Sequence, residues 1–152
     1  MMRTKAISDR QLRMLCHALP WRDSLAMRIM RQTGLRVSDV LMLKKTDISR
    51  KMTIREQKTK KIRSVYLTDA LVKECAIYAS LHRGMKLFNC NRSTIYRSVH
   101  RTALKFGWTN ISAHSARKAY ARAFAKKHGI EATRKELRHS SLSTTLIYLQ
   151  DV

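Results

Sequence analysis

One short stretch of alternating residues interrupts a chain in which apolar residues otherwise recur at helical spacing. Met52 and Ile54 alternate with polar neighbours, and Ile62, Val65 and Leu67 follow after a basic turn. Two such runs joined by a short polar segment predict a β-hairpin. Because helical patterns flank this hairpin on both sides, the chain is predicted to mix helices with one small antiparallel sheet.

The helical patterns have identifiable starts and stops. Ser8 is a candidate N-cap of a first helix that Pro20 ends, and Gly34 ends the second helix. Further helices are predicted over residues 37–43 and around residues 71–79, 95–106, 116–124, 132–137 and 142–149. Residues 47–48 are expected to add a short third strand. The expected fold class is α+β, mainly α-helical with a small three-stranded antiparallel sheet.

The charge of the chain indicates its partner. Its 152 residues include 32 Lys and Arg against 10 Asp and Glu, a net charge of +22. A 44% share of hydrophobic residues is typical of one folded domain and excludes a disordered basic tail. Such an excess of positive charge favours a polyanion, and nucleic acid is the expected one.

Targeting segments and metal motifs are both lacking in the sequence. No apolar run approaches the roughly 20 residues of a membrane span, and the N-terminus has no signal-peptide core. We therefore expect a cytoplasmic protein without a membrane partner. The cysteines Cys16, Cys75 and Cys90 form no CxxC pair and have no His at zinc-finger spacing, so no metal is predicted.

A first candidate anion site follows Gly34. Arg36 begins the third predicted helix, where free backbone N–H groups also favour an anion, and its guanidinium can hold a phosphate with two hydrogen bonds. The alternative is a surface arginine or one that forms a structural ion pair with Asp39.

A second candidate site lies at the start of a later helix. His114 and Arg117 are three residues apart and project to one side, behind a candidate cap at Ser112. A histidine and an arginine near a helix N-terminus suit a phosphate. The alternative is an exposed basic helix end.

The last helix carries a tyrosine off its apolar stripe. Leu142, Leu146 and Leu149 form the stripe, and Tyr148 lies roughly 200° from Leu146 at about 100° per residue. A tyrosine that points away from the core beside a cationic pocket can act as a nucleophile. The alternative is a surface tyrosine.

Together these motifs resemble the catalytic domain of the tyrosine recombinases, or phage integrases. The residues that carry the resemblance are TGLRVSD at 33–39, HSAR at 114–117, LRHSS at 137–141 and Tyr148 nine residues after His139. The hairpin segment REQKTKK at 55–61 is similar to the lysine turn of that family. The order of the motifs matches the family, and they extend over nearly the whole chain.

The resemblance implies phosphoryl transfer at a DNA phosphodiester without metal, cofactor or ATP. The positive charge of Arg36 and Arg117 would stabilise the non-bridging oxygens of the transition state, with help from His114 and His139. Tyr148 would attack phosphorus and form a 3′-phosphotyrosyl link.

By the same resemblance, basic side chains are also expected to act on the leaving group and to contact the DNA. Lys58 would protonate the leaving 5′-oxygen, with Lys60 or Lys61 as alternative acids. Lys60, Lys61, Arg63 and Arg138 are expected to contact DNA. Arg138 stands where the family usually has Gly, so that turn must accommodate a side chain.

Two other positions and both chain ends also depart from the family. Asp39 replaces the commoner Glu, and Ala116 the commoner Leu. We expect residues 1–152 to form a single catalytic domain, without the N-terminal core-binding domain of relatives and with a very short C-terminal tail. The resemblance implies a homotetramer on two double-stranded DNA sites.

Two other functions remain open from the sequence. One is a type IB topoisomerase-like enzyme that nicks and religates DNA, and the other is a DNA-binding regulator without catalysis. The sequence does not indicate the target site, or whether the outcome is integration, excision, inversion or resolution.

Overall fold

A computed structural model describes residues 3–150 and confirms the α+β class. Eight helices and one two-stranded sheet are formed within these residues. In chain order the elements are α1 (Asp9–Ala18), α2 (Trp21–Thr33), α3 (Val37–Leu41), β1 (Lys51–Arg55), β2 (Ile62–Tyr66), α4 (Asp69–Ser80), α5 (Arg92–Lys105), α6 (His114–His128), α7 (Ile130–Glu136) and α8 (Leu142–Leu149).

Helix α2 lies at the centre of the core. It packs against α1, α4, α5 and α6, and its side chains Leu25, Met27, Ile29 and Met30 are fully buried. Apolar burial on several sides of one helix is the main stabilising term of such a core. The C-terminal end of α2, followed by α3, is therefore held in a fixed position.

The predicted cap of α1 is confirmed. The Ser8 hydroxyl accepts a hydrogen bond from the Gln11 backbone N–H, and the Gln11 side chain accepts one from the Ser8 N–H. This capping box satisfies two backbone donors that the first turn of a helix leaves unpaired.

The predicted third strand is wrong. Residues Lys45–Asp47 form a short 3₁₀ turn, and Lys44 makes only an isolated bridge to Lys86. The Asp47 carboxylate accepts a hydrogen bond from the Lys44 backbone N–H at 2.8 Å, which closes the turn where a strand would need an extended backbone.

The hairpin itself is confirmed, but its second strand has a different inward face. In the β1–β2 register Ile54 faces Arg63 and Met52 faces Val65. Ile62 is therefore exposed and Arg63 is buried, because side chains alternate between the two faces of a strand. The spacing from Ile62 to Val65 is odd, so the two cannot share a face.

Helix α8 also presents a different face from the expected one. Leu142 and Leu146 are exposed, whereas Thr145 is fully buried and Tyr148 is half-buried against α6 and α7. The expectation that the leucine stripe packs inward is wrong for Leu142 and Leu146, whereas Leu149 is half-buried. The inward face of α8 carries hydrogen-bonding and aromatic contacts to His139 and His114, so Leu142 and Leu146 lie on the other side.

Gly34 ends α2 in a left-handed conformation with φ of 71°. A Cβ atom there would lie 2.3 Å from the ring of Tyr120. We expect Gly34→Ala to lower the free energy of unfolding by at least about 2 kcal/mol, measured by urea denaturation, since positive φ and overlap both oppose the side chain.

Gly107→Ala is the matched control for this substitution. Gly107 also has a positive φ, of 78°, but nothing lies within 4 Å of the added Cβ. We expect about 1 kcal/mol of destabilisation there, from the backbone alone. Equal losses at the two positions would contradict the close approach of Tyr120.

Candidate active site

Five of the six predicted catalytic residues converge on one cavity of about 560 Å³, and Arg117 does not line it. Arg36, Lys58, His114, His139 and Tyr148 all line it. They come from the start of α3, the hairpin turn, the start of α6, the loop before α8, and α8 itself. Residues that are more than 100 positions apart in the sequence thus surround one space.

Arg36 is the N-cap residue of α3 and is held by a buried carboxylate. Its guanidinium donates to Glu56 at 2.9 Å, and the Glu56 side chain is fully buried. About 19% of the Arg36 side chain remains exposed toward the cavity. The alternative partner, Asp39, instead accepts a hydrogen bond from the Gln57 backbone N–H at 2.8 Å.

Arg63 lies behind Arg36 in an ion network, which corrects its expected contact with DNA. Its side chain is 2% exposed and pairs with Glu136 at 2.9 Å, and it donates to the Thr33 carbonyl. It also approaches Glu56 at 3.9 Å. Because buried charges require partners, Arg63 serves to hold Glu56 and Glu136 in place, and its side chain is not exposed for the expected contact with DNA.

Arg117 is fully buried and does not line the cavity. Its guanidinium donates to the Gly34 carbonyl and, at 3.2 Å, to the Leu137 carbonyl. Burial lowers the pKa of Arg117, and the Tyr148 side chain opposes that effect. The Arg117 Cζ atom lies 5.8 Å from the centroid of the Tyr148 ring. Two carbonyls therefore fix this cation next to the tyrosine.

Two imidazoles flank Tyr148. Its ring centroid lies 5.1 Å from that of His114 and 4.6 Å from that of His139, both in edge-on arrangements. Burial and the nearby arginines lower the pKa of each histidine to about 4. Both imidazoles are therefore neutral near pH 7, each with one N–H donor and one acceptor nitrogen.

These two histidines predict a pH-dependent stability. The unfolded chain binds protons on both below about pH 6.5, whereas the folded chain binds them only near pH 4. The unfolded state thus binds more protons in that window, so the free energy of unfolding falls as the pH decreases from about 6.5 to 4. We expect a loss of at least about 1 kcal/mol between pH 7 and pH 5, or roughly 2–4 °C in Tm by calorimetry.

The double variant His114→Gln, His139→Gln is the control for this pH dependence. It removes both titrating imidazoles, so its stability should change less over the same pH range. A double variant with the same pH dependence as the parent protein would contradict the assignment.

The hairpin turn brings the predicted lysines to the edge of the cavity. Lys58 is exposed and lines it, while Lys60 and Lys61 are exposed but do not. Lys60 has a positive φ of 60° at the tip of the turn. The geometry therefore favours Lys58 over its two neighbours for contact with a bound group.

Arg138 occupies a turn with a left-handed backbone. Its φ is 59°, a conformation that favours Gly, and its guanidinium donates to the Ile62 carbonyl at 3.0 Å. The side chain thus joins the hairpin to the loop before α8. Its contact with DNA remains a prediction.

Several residues of the site were missed in the sequence. Arg92 and Tyr96 from α5 line the cavity beside Tyr148, and Glu56 and Thr145 hold Arg36 and His139. Arg92 and Tyr96 are four residues apart after the Asn91 cap, a pattern that indicates one helix face. Nothing in the sequence marks Glu56 or Thr145.

Residues 3–150 form neither a metal-binding cluster nor a membrane-spanning helix. Within residues 3–150, no three His, Cys, Asp or Glu side chains are grouped so as to hold a metal ion. No helix formed by these residues is long and apolar enough to cross a membrane.

The fold and the site together define a class. Two guanidiniums and two neutral imidazoles can stabilise an anion, and a tyrosine hydroxyl beside them can attack it. Helices around a small hairpin, with these side chains in this order, form the tyrosine recombinase catalytic-domain fold.

Comparison with known proteins identifies the family. The phage integrase family model matches residues 5–152, and the chain belongs to that family. Tyrosine recombinase XerA of Saccharolobus solfataricus is 29% identical over 151 residues, which cover 95% of this chain and 51% of the relative. The chain thus spans about half the length of this curated relative.

Solved structures give the same fold. A crystal structure of XerA recombinase superposes with a TM-score of 0.79 at 25% identity, covering 100% of this chain and 61% of the other. A lambda integrase tetramer bound to a Holliday junction superposes with a TM-score of 0.77 at 19% identity, covering 99% of this chain and 49% of the other.

Proposed function

We propose that residues 1–152 form the catalytic domain of a site-specific DNA recombinase that cleaves and rejoins strands through a covalent 3′-phosphotyrosyl intermediate. The observation that carries this proposal is Tyr148 in one cavity with Arg36, His114 and His139, with the buried Arg117 guanidinium against the Tyr148 ring. The size of the cavity and its positively charged lining suit a phosphodiester. Membership of the phage integrase family supports the same reaction.

In the cleavage step, the Tyr148 oxygen attacks the scissile phosphorus. The bond from phosphorus to the 5′-oxygen breaks, and the strand keeps its 3′-phosphate on the tyrosine. Arg36 and Arg117 stabilise the charge on the non-bridging oxygens, where fixed donors in a partly dry site have large effects. Reversal of the same step by another 5′-hydroxyl rejoins the strands, so no ATP is consumed.

Two proton transfers accompany this step. The tyrosine hydroxyl loses its proton, and the neutral imidazole of His114 has an acceptor nitrogen for it. The leaving 5′-oxygen gains a proton from Lys58, whose ammonium lies on the hairpin turn at the edge of the cavity. Lys60 and Lys61 are less suited because they lie outside it.

A covalent adduct tests the proposed reaction. The protein is incubated in EDTA with nicked suicide duplexes, in which the 5′-hydroxyl fragment diffuses away and the adduct accumulates. We expect a band of protein linked to DNA on a denaturing gel, with the link at Tyr148 by mass spectrometry. No adduct on a library of duplexes would contradict the proposal and favour a DNA-binding regulator.

A plasmid carrying two copies of a cleaved site separates recombination from relaxation. A recombinase is expected to exchange strands between the two sites, whereas a topoisomerase-like enzyme only relaxes supercoils. Relaxation without exchange would contradict the recombinase assignment and leave the tyrosine chemistry intact.

The charge of the chain predicts how DNA binding depends on salt. With a net charge of +22, most of the affinity should come from phosphate contacts. We expect log K to fall linearly with log salt, with a slope of about −0.9 per phosphate contacted, measured by fluorescence anisotropy on duplex DNA. A DNA affinity that hardly changes between low and moderate salt would contradict binding through phosphate contacts.

We further propose that the protein acts on double-stranded DNA as a homotetramer in the cytoplasm of a prokaryotic or virus-infected host cell. The lambda integrase tetramer on a Holliday junction supports this assembly through its shared fold. The mass of the complex on paired DNA sites, measured by light scattering, tests it.

A further inference from the structure

A buried hydrogen bond joins the candidate active site to the helix that carries the nucleophile. The Nδ1 atom of His139 lies 2.9 Å from the Oγ1 atom of Thr145. Thr145 is fully buried and His139 is 7% exposed. The two residues come from the loop before α8 and from α8 itself, and Thr145 is three residues before Tyr148.

The Thr145 hydroxyl group indicates which of the two atoms donates in this hydrogen bond. A buried hydroxyl proton needs an acceptor, and helical threonines usually give it to the carbonyl four residues earlier. Thr33 and Thr133 do so, each at 2.7 Å. Among the described residues, the Thr145 hydroxyl makes its hydrogen bond to His139 Nδ1 instead. We infer that the hydroxyl donates and Nδ1 accepts.

The second ring nitrogen is left with the proton. The imidazole is neutral, because burial and the charges of Arg117, Arg36 and Lys58 lower its pKa to about 4. A neutral imidazole has one N–H group, and an accepting Nδ1 places it on Nε2. The Nε2 atom is buried, has no hydrogen-bond partner within residues 3–150, and belongs to a residue that lines the cavity.

We propose that Thr145 is a positioning residue that fixes His139 in the tautomer with its proton on Nε2, so that Nε2 donates a hydrogen bond to a non-bridging oxygen of the scissile phosphate. This role rests on the proposed function, because the phosphate is its ligand. An unpaired buried donor in a positively charged cavity suits an anion and is costly without one. His139 is then a hydrogen-bond donor to the transition state, which leaves the acceptor role to His114.

The tautomer can be measured directly. Long-range ¹H–¹⁵N NMR correlations of the DNA-free protein distinguish Nε2–H from Nδ1–H imidazoles. We expect His139 of the native protein to be the Nε2–H tautomer near pH 7. We expect Thr145→Val, which removes the hydroxyl and keeps the shape, to shift His139 toward a mixture of the two tautomers. A native protein with the proton on Nδ1 would overturn the proposal.

Single-turnover cleavage of a suicide duplex tests the consequence for catalysis. We expect Thr145→Val to slow cleavage about 10-fold or more, which corresponds to the loss of about one hydrogen bond in the transition state. DNA affinity should change less than twofold. Thr145→Ser keeps the hydroxyl and is expected to recover most of the rate and the Nε2–H tautomer. Cleavage by Thr145→Val at the native rate would overturn the proposal.

Thr133→Val is the matched control for the loss of a buried hydroxyl. Thr133 of α7 is also fully buried, but its hydroxyl donates to the carbonyl of Gly129, just before α7, and neither residue lines the cavity. This variant is expected to lose stability without a change in the His139 tautomer. A native protein that forms no adduct would overturn the proposed function, whereas the NMR result on DNA-free protein decides the role of Thr145 separately.

Discussion

Tyr148→Phe is expected to abolish covalent attachment to DNA while leaving DNA affinity within about twofold. The substitution removes only the hydroxyl, so the ring keeps its contacts with His114, His139 and Arg117. Without the attacking oxygen no phosphotyrosyl bond can form, and we expect the cleavage rate to fall by at least about 10³-fold. Trapping on a suicide duplex, followed by a denaturing gel, measures the loss.

A second tyrosine provides the control. Tyr66 on β2 is 61% exposed and does not line the cavity, so Tyr66→Phe removes the same atom elsewhere. It should form adduct at the native rate. An adduct that survives Tyr148→Phe would show that another side chain is the nucleophile.

Arg36→Ala is expected to slow cleavage about 10²- to 10³-fold with a much smaller effect on binding. The Arg36 guanidinium lines the cavity and is aligned by Glu56, so in the proposed reaction it is expected to act on the charge that develops in the transition state. DNA affinity depends on many cations, and the loss of one changes it little. Single-turnover cleavage and anisotropy binding, measured on the same duplex, separate the two effects.

Two further variants sharpen this result. Arg10→Ala removes an exposed arginine on α1 that does not line the cavity, and it should leave cleavage unchanged at saturating protein. Glu56→Gln weakens the ion pair that aligns Arg36 and should give an intermediate rate. Equal losses of cleavage and binding in Arg36→Ala would mean that Arg36 only docks the DNA.

Local patterns were sufficient for most of the fold. The helix boundaries at Ser8, Pro20 and Gly34 follow from capping residues and helix-breaking residues. These act within a few residues, so the sequence alone predicts them. The third strand failed because Asp47 closes a turn through its side chain. Asp47 and Ile48 alone do not distinguish a strand from a turn.

Which side chains point inward depended on partners that are distant in the sequence. Arg63 is inward because Glu136, 73 residues later, and Glu56 accept its charge, so Ile62 becomes the exposed neighbour. Leu142 and Leu146 of α8 are outward because Thr145 and Tyr148 contact the histidines. Neither result follows from hydrophobic periodicity, which predicts that the apolar side of an element packs inward.

The sequence by itself determined the class of the fold, the family motifs, and the side chains that the proposed reaction needs. Residue type, spacing and order carry that information, because each motif is local. Only the tertiary structure decided which carboxylate aligns Arg36, which carbonyls hold Arg117, and which hydroxyl meets His139. These partners lie far apart along the chain, except for Thr145, and they are selected by the burial of charge and hydrogen-bonding groups. A buried polar atom must find a partner wherever the packed chain provides one.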